Sequence, residues 1–468
     1  MKKFIILAIA VLPAFAANDL ADLLNTDADV TTNSIVTIKS TNVEEPTSLL
    51  TITGQLNSIS SYSMVREWVM RGGVNAYNNN RISTYMNAEL FVDIRLRESI
   101  KGFADVSIRY NPMGDIVAHN VSQITNVITL GATNYTYYDT NYITLVVKEL
   151  FFDANIAKAV YFRTGKQVLA WGQGYLWNPS DLINIQKKDF ANITTANLTR
   201  EGTYGIKMHI PFGTVANIYG FVDMRDVQNF RDIGAAGKFE AVLFGWEASI
   251  SAVARQNYIP VYAADLTGRI PLINVDIRAE ATLSYGFNKP HLIGITTNVI
   301  MFYTNYSAVT DKWDNTWVTR VCLGFSKSFT MFDVTDRLTV IGEYLYNGAG
   351  YNEAIFRDTV KKRFFDPVFN PYGLYEMNYT GMHYAFLSAS YLKFILADMT
   401  LNFNAIANCS DWSGVLSLGL NYNPVYNFTL GLTVSGYVGE ENGEFTMGNA
   451  YSASAPGMSV TFNAQLNF

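Results

Sequence analysis

Cysteine is nearly missing from this chain: Cys322 and Cys409 are the only two in 468 residues. That excludes a disulfide scaffold, while a single bridge between them and two unpaired thiols both stay open. Charge is sparse as well, at 16% Asp, Glu, Lys and Arg with a formal net of −6. An acidic surplus of this kind excludes a basic nucleic-acid-binding face. Histidine occurs four times, at positions 119, 209, 291 and 383, without metal-ligand spacing, and there is no H-E-x-x-H, G-x-S-x-G or P-loop motif. No metal, cofactor or enzymatic activity is therefore expected. Past the first dozen residues no apolar run reaches the roughly 18 residues of a helical membrane span. What the chain does have is apolar and aromatic residues, 49% and 14%, including 29 Tyr and 29 Phe, which excludes a disordered polymer. At about 150 residues per domain the length suggests three domains, yet all-β barrels exceed that prior as one unit.

Lys2 and Lys3 precede an apolar run from Phe4 to Leu12, then Pro13 and the small-residue site Ala14-Phe15-Ala16. A short basic region, an apolar stretch too short to span and an A-x-A site define a secretory signal peptide over residues 1–16. Without Lys2 and Lys3 there are 32 basic and 40 acidic residues, a net of −8. No cysteine lies near the cut, so no lipid anchor is expected.

The dominant pattern downstream has a period of two. Ile82, Met86, Ala88, Leu90, Val92, Ile94 and Leu96 alternate with Asn87, Glu89, Asp93 and Arg95. Ile273, Val275, Ile277, Ala279, Ala281, Leu283 and Tyr285 alternate with Asn274, Asp276, Arg278, Glu280, Thr282 and Ser284. The last segment runs Met458, Val460, Phe462, Ala464, Leu466 and Phe468 against Ser459, Thr461, Asn463, Gln465 and Asn467. Each segment is close to the ten or so residues with which a tilted strand crosses a bilayer. Without helices a membrane chain must be a closed barrel, because every backbone polar group has to be satisfied inside lipid. Three features favour that over a soluble sandwich. Aromatics end the apolar rows at Tyr110, Trp246, Tyr285, Trp317, Trp412, Tyr422 and Phe468. Ionised groups stand in mid-strand on the other rows, where a solvated lumen accepts them and a dry core does not. Phe468, at the end of an alternating last strand, resembles the assembly signal of bacterial outer-membrane barrels.

About 18 such segments can be laid out, with 16 as the alternative if the softer ones are merged. Short connections at 98–100, 155–158, 211–213 and 424–426 alternate with long ones at 111–142, 169–202, 287–314, 348–379 and 440–456. The fold class is therefore all-β, a transmembrane antiparallel up-and-down barrel over residues 50–468. Residues 17–49, rich in Asn, Thr and Asp, form a periplasmic leader or a partial plug.

The most distinctive segment reads Arg163-Thr164-Gly165-Lys166-Gln167, then Trp171-Gly172-Gln173-Gly174, Asn178-Pro179-Ser180-Asp181 and Arg200-Glu201-Gly202. Gly permits unusual φ and Pro fixes its own, so this is a rigid loop opening. The stretch resembles a loop of outer-membrane porin-like barrels of the alginate-export and related uncharacterised families, over roughly a tenth of the chain. The resemblance implies that the loop from Trp171 to Arg200 folds into the lumen and narrows it, with Arg163, Gln167, Trp171, Asp181, Lys187, Lys188, Asp189, Arg200 and Glu201 at the constriction. A bland reading, in which these residues only tie a loop to the wall by ion pairs, is equally open.

Lumen rows carry Arg95, Lys101, Arg109, Arg163, Lys207, Arg255, Arg278, Arg320 and Arg337, against Glu89, Asp93, Asp105, Glu149, Asp153, Asp223, Glu247, Asp276, Glu280, Glu343 and Asp398. Mixed signs in similar number predict weak ion selectivity. Tyr85, Phe91, Tyr161, Tyr219 and Phe221 on these rows either stack on sugars or pack on neighbouring Arg. A barrel phospholipase needs a lipid-facing His–Ser pair, whereas His209 falls on a lumen row with Lys207. The expectation is a porin in the bacterial outer membrane, a passive channel for small hydrophilic solutes, with lipid and the barrel-assembly machinery, through Phe468, as partners. The alternatives are a surface-exposed structural barrel or adhesin with a blocked lumen, a barrel enzyme, and a soluble secreted all-β protein.

Overall fold

Alternation becomes strand wherever one side-chain row can face lipid and the other the lumen. The structure, a computed structural model, describes residues 49–71, 79–97, 99–123, 133–169, 171–183, 200–225, 227, 229–300, 303–311, 313, 315–358, 360–365, 373–447 and 455–468. The signal peptide and all but the last residue of 17–49 lie outside the described residues. The strands are β1 (Leu50–Val65), β2 (Arg81–Arg97), β3 (Ile100–Gln123), β4 (Thr133–Ile156), β5 (Val160–Gln167), β6 (Thr203–Phe212), β7 (Ala216–Asp223), β8 (Gly234–Leu243), β9 (Trp246–Arg255) and β10 (Val261–Ile270). They continue as β11 (Val275–Tyr285), β12 (His291–Ile300), β13 (Tyr303–Asp311), β14 (Trp317–Met331), β15 (Val334–Asn347), β16 (His383–Leu392), β17 (Met399–Asn408), β18 (Ser413–Val425), β19 (Phe428–Gly439) and β20 (Pro456–Asn467).

Eighteen of these form one antiparallel sheet in chain order, and β12 and β13 pair separately. β1 hydrogen-bonds to both β2 and β20, so the sheet closes on itself. At the seam the Phe468 N–H donates to the Gly54 carbonyl at 2.9 Å and the Gly54 N–H to the Phe468 carbonyl at 2.8 Å. Gly54 leaves room for the Phe468 ring, since a Cβ there would stand 2.8 Å from it and 2.5 Å from the Glu89 carbonyl oxygen.

The outward rows match the sequence pattern: Leu56, Ile82, Leu90, Leu283, Leu323, Leu418 and Phe462 are all exposed large hydrophobics. An apolar exterior on a closed barrel is the surface a bilayer covers. Its rims carry the expected aromatics, as where exposed Tyr285 and Trp317 face each other in register with rings 5.1 Å apart. The two cysteines are unpaired.

The structure departs from the sequence reading in three places. Segments 111–123 and 133–142, read as loop, prolong β3 and β4 into a long pair. Loop 287–314 contains the β12–β13 hairpin. Both stretches are rich in Thr, Tyr, Val and Ile, which pair readily without a continuous apolar row. Several residues placed on lumen rows lie at the short-turn rim, among them Asp93, Arg95 and Asp276 in ion pairs there. Asp398 ends the turn between β16 and β17, and Arg337 stacks 5.1 Å from the Phe332 ring and 4.9 Å from that of Tyr391.

A bulge in β4 also escaped the period-two reading. Asp105 pairs with Glu149 but Val106 with Val147, leaving Lys148 as the extra residue. Lys148 and Glu149 are consequently both buried, and Lys148 pairs with Glu89.

Candidate functional site

The loop between β5 and β6 starts and ends at that bulge. The Val168 N–H donates to Glu149 Oε1 at 2.6 Å, and the Gly202 N–H to the Lys148 carbonyl at 3.0 Å. Arg200 closes the base, donating to Asp181 Oδ2 at 2.8 Å and to the Leu169 carbonyl at 3.4 Å. Gln167, wholly buried, donates to the carbonyls of Arg163 and Gly205, both at 3.3 Å. Lys166 pairs with Glu201. Leu169, Trp171 and Ile183 pack with Phe221 into a small apolar core on the near wall.

From there the chain crosses the lumen. Gly172 sits at φ +123°, where an added Cβ would lie 2.7 Å from the Ser180 hydroxyl, and Gly174 leaves space for the Trp177 carbonyl. Glu280 on β11 accepts from the backbone N–H groups of Gln173 and of Gly174 (2.5 Å), and from Ser180 through its N–H at 3.2 Å and its hydroxyl at 2.7 Å. Glu343 on β15 accepts from the N–H groups of Tyr175, Leu176 (2.7 Å) and Trp177 (3.3 Å). Around the ring β15 lies eight strands from β5, close to diametrically opposite in a barrel of eighteen. The segment is thus strung from wall to wall on two carboxylates, each collecting backbone donors that would otherwise be unsatisfied. Arg278 adds a third tie, donating to the Gln173 carbonyl at 2.9 Å and to the Tyr175 hydroxyl at 3.0 Å, with its guanidinium 3.9 Å from that ring's centroid. The Gln173 side chain reaches Glu247 at 2.9 Å.

At its far end the loop is held from the long-loop side. Trp177, 1% exposed, donates its indole N–H to the Asn378 carbonyl at 3.1 Å and packs against Tyr384 and Phe386. Leu176, Cys322, Leu345, Ile406 and Val415 complete this core on the inner face of β14 to β18. Above it Glu444, in the β19–β20 connection, accepts from the Tyr384 hydroxyl at 2.6 Å, Asn408 Nδ2 at 2.9 Å and the Asn378 N–H at 3.0 Å. Burial pushes its carboxyl up to about 8, against the lowering effect of the Tyr384 hydrogen bond and with nearby Asp411 adding to the rise. A second cap core, built of Leu292, Tyr351, Ile355, Phe356, Phe364, Phe365, Leu374 and Met447, joins the long loops.

The structure therefore brings Trp171, Asp181 and Arg200 into one loop, with Glu149, Arg278, Glu280 and Glu343 as its anchors on the wall. Arg163 stands apart, in a bidentate pair with Asp153 at 2.7 and 3.0 Å and 3.9 Å from the Phe151 ring centroid. Arg109 lies 4.5 Å from the Tyr85 ring centroid. Arg320 contacts Asn347 at 2.8 Å and Glu376 at 3.6 Å beneath the long loops. Lys187, Lys188 and Asp189 lie outside the described residues. The lumen aromatics pack on their own neighbours: His209 stacks on Tyr219 with centroids 4.5 Å apart, and Phe221 is buried under the loop. Sequence reasoning missed Lys148, Gln173, Tyr175, Ser180, Asn378 and Glu444. Only the first carries a sequence signal, the change in outward parity from Ile143 and Leu145 to Leu150 and Phe152.

No protein-family model matches the chain, and no curated protein matches its sequence. Among solved structures it is similar to a BenF-like porin from Pseudomonas fluorescens Pf-5, at 9% identity and TM-score 0.47 over 90% of this chain and 99% of that one. Acinetobacter baumannii OccAB3 is similar at 10% identity and TM-score 0.47 over 89% and 99%. Pseudomonas putida OprB is similar at 7% identity and TM-score 0.40 over 90% and 92%. The likeness is to porin structures at large, with nothing particular to alginate export. At such identities and scores it carries no functional argument, which falls to the barrel's own residues.

Proposed function

We propose that this chain is a porin of the bacterial outer membrane, a passive channel for small hydrophilic solutes whose lumen is narrowed by the loop over residues 168–202. The observation that carries the reading is the wall-to-wall course of residues 171–183, tied to Glu280 and Glu343. A loop fastened across a water-facing barrel sets a size limit, and lumen polar groups replace part of a passing solute's hydration. Trp171, Asp181, Arg200 and the anchors Glu149, Arg278, Glu280 and Glu343 shape that waist. Gln167 and Glu201 hold its base, while Arg163, Asp153 and Arg109 line the lumen away from it. No catalytic role is assigned: His209 bonds to Asn217 at 3.0 Å inside the barrel, and His383 to the Tyr344 hydroxyl at 2.7 Å outside it. The signal peptide directs export, and the last strand ending in Phe468 engages the barrel-assembly machinery.

Single-channel conductance of the mature protein, refolded in detergent and inserted in a planar bilayer, tests the reading beside a variant lacking residues 174–196. Stable conductance that rises sharply in the deletion supports it. Folded, heat-modifiable protein that conducts in neither form overturns it in favour of a blocked structural barrel or adhesin.

A further inference from the structure

Six consecutive barrel strands, β16 to β20 and then β1, contain no Asp, Glu, Lys or Arg. They make up a third of the circumference. Beyond Tyr384, Phe386, Ile406 and Val415 of the Trp177 core, their inward rows are mostly amides and hydroxyls, among them Asn404, Ser417, Asn421, Thr433, Thr461 and Asn463, and all six are half-buried. Neighbours on this wall bond to one another, Ser388 to Asn404 at 2.7 Å and Ser417 to Ser435 at 2.7 Å. Each amide or hydroxyl group holds more donors and acceptors than one such bond uses.

The ionised residues of mid-barrel are placed differently. Glu89, Asp105, Lys148, Lys238, Glu240, Asp265 and Glu280 are all less than a tenth exposed. They are taken up in pairs such as Lys238–Glu240 at 2.9 Å, or in holding the inward loop. The loop also packs against the β7–β9 side, through Phe221, Ala236 and Val253. The half-exposed charges Asp93, Arg95, Arg269 and Asp276 are paired with each other at the short-turn rim. Through Leu176 and Trp177 the loop also covers the long-loop end of β16 to β18, so the uncharged wall left open lies toward the short-turn end and on β19, β20 and β1.

We infer that this channel admits uncharged, hydroxyl-rich solutes in preference to ions of the same size, with the Asn, Ser and Thr wall of β16 to β1 as its selectivity surface. The inference rests on the porin reading and names its substrate class. A neutral polyol exchanges water for side-chain amides and hydroxyls that both donate and accept. An ion finds no counter-charge on this wall to offset its lost hydration, and the lumen charges of β3 to β5 are held by partners, Arg163 by Asp153 and Arg109 over the Tyr85 ring.

Proteoliposome swelling with three six-carbon, open-chain probes differing only at the first carbon tests this: sorbitol, gluconate and protonated glucamine. The expected result is sorbitol entering several-fold faster than either ion, with a reversal potential near zero in a KCl gradient. Asn404→Asp and Asn421→Asp should then make the pore cation-selective by reversal potential and slow gluconate further. Equal rates for all three probes, or strong ion selectivity in the unaltered protein, overturn the inference while leaving the porin reading intact. Swelling with none of the probes from folded barrels removes the porin reading and this inference with it.

Discussion

Glu280 and Glu343 concentrate on two carboxylates what a loop of this length cannot supply for itself. A buried backbone donor left without a partner costs about 1–3 kcal/mol, and these residues satisfy six N–H groups between them. A side-chain amide of similar size offers one acceptor oxygen in place of two and cannot serve them all. Glu343→Leu should free the far end of the loop, raising and destabilising single-channel conductance, while thermal unfolding of the barrel stays close to that of the parent. A variant that conducts like the parent would show that Glu343 is not what holds the far end of the loop. Glu444 makes a prediction of opposite sense for pH. Its folded-state value of about 8 lies above the usual 4.5, so its contribution to loop anchoring is complete below about 4.5 and lost as pH rises through 8. Protection factors in residues 440–447, with the intrinsic pH dependence of amide exchange divided out, should accordingly be highest in acid and fall between those limits, and Glu444→Gln should remove that fall.

Among elements, the seam between β1 and β20 is the one contact that makes a ribbon into a barrel. Phe468 and Gly54 exchange two backbone hydrogen bonds there, and the ring occupies the space a side chain at Gly54 would need. Gly54→Val should abolish closure, seen as loss of the fast-migrating folded band in unheated gel samples. Phe468→Ala should keep the backbone bonds and fold more slowly. The β4 bulge shows how one extra residue rewrites a wall: it turns Lys148 inward beside Glu149, and together they set both feet of the inward loop. That feature was legible as a parity change, but its consequence was not, because what a bulged residue meets depends on strands far away in the chain.

For the molecule as a whole, the exterior and the lumen respond to charge in opposite ways. Leu418, outward on β18 and 51% exposed, should destabilise the barrel by about 2–4 kcal/mol as Leu418→Arg near the bilayer midplane. Asn404→Arg, on the lumen face of the neighbouring strand, should leave urea unfolding in vesicles nearly unchanged, and comparable losses from both would show that the faces are misassigned. Strand number, closure and the two faces were readable from residues alone, because a period of two fixes which side chains share a face and lipid demands a closed ring. The uncharged run from β16 to β1 was likewise printed in the chain. What the sequence alone did not determine is where the loop goes. Trp171 and its neighbours announce an inward turn, but that Glu280 and Glu343 receive it, and that Asn378 and Glu444 cap it, follows from strands more than a hundred residues away in the chain being curved to face it. Closure of the barrel decides those pairings, since only the ring's diameter sets which wall a segment of that length can reach.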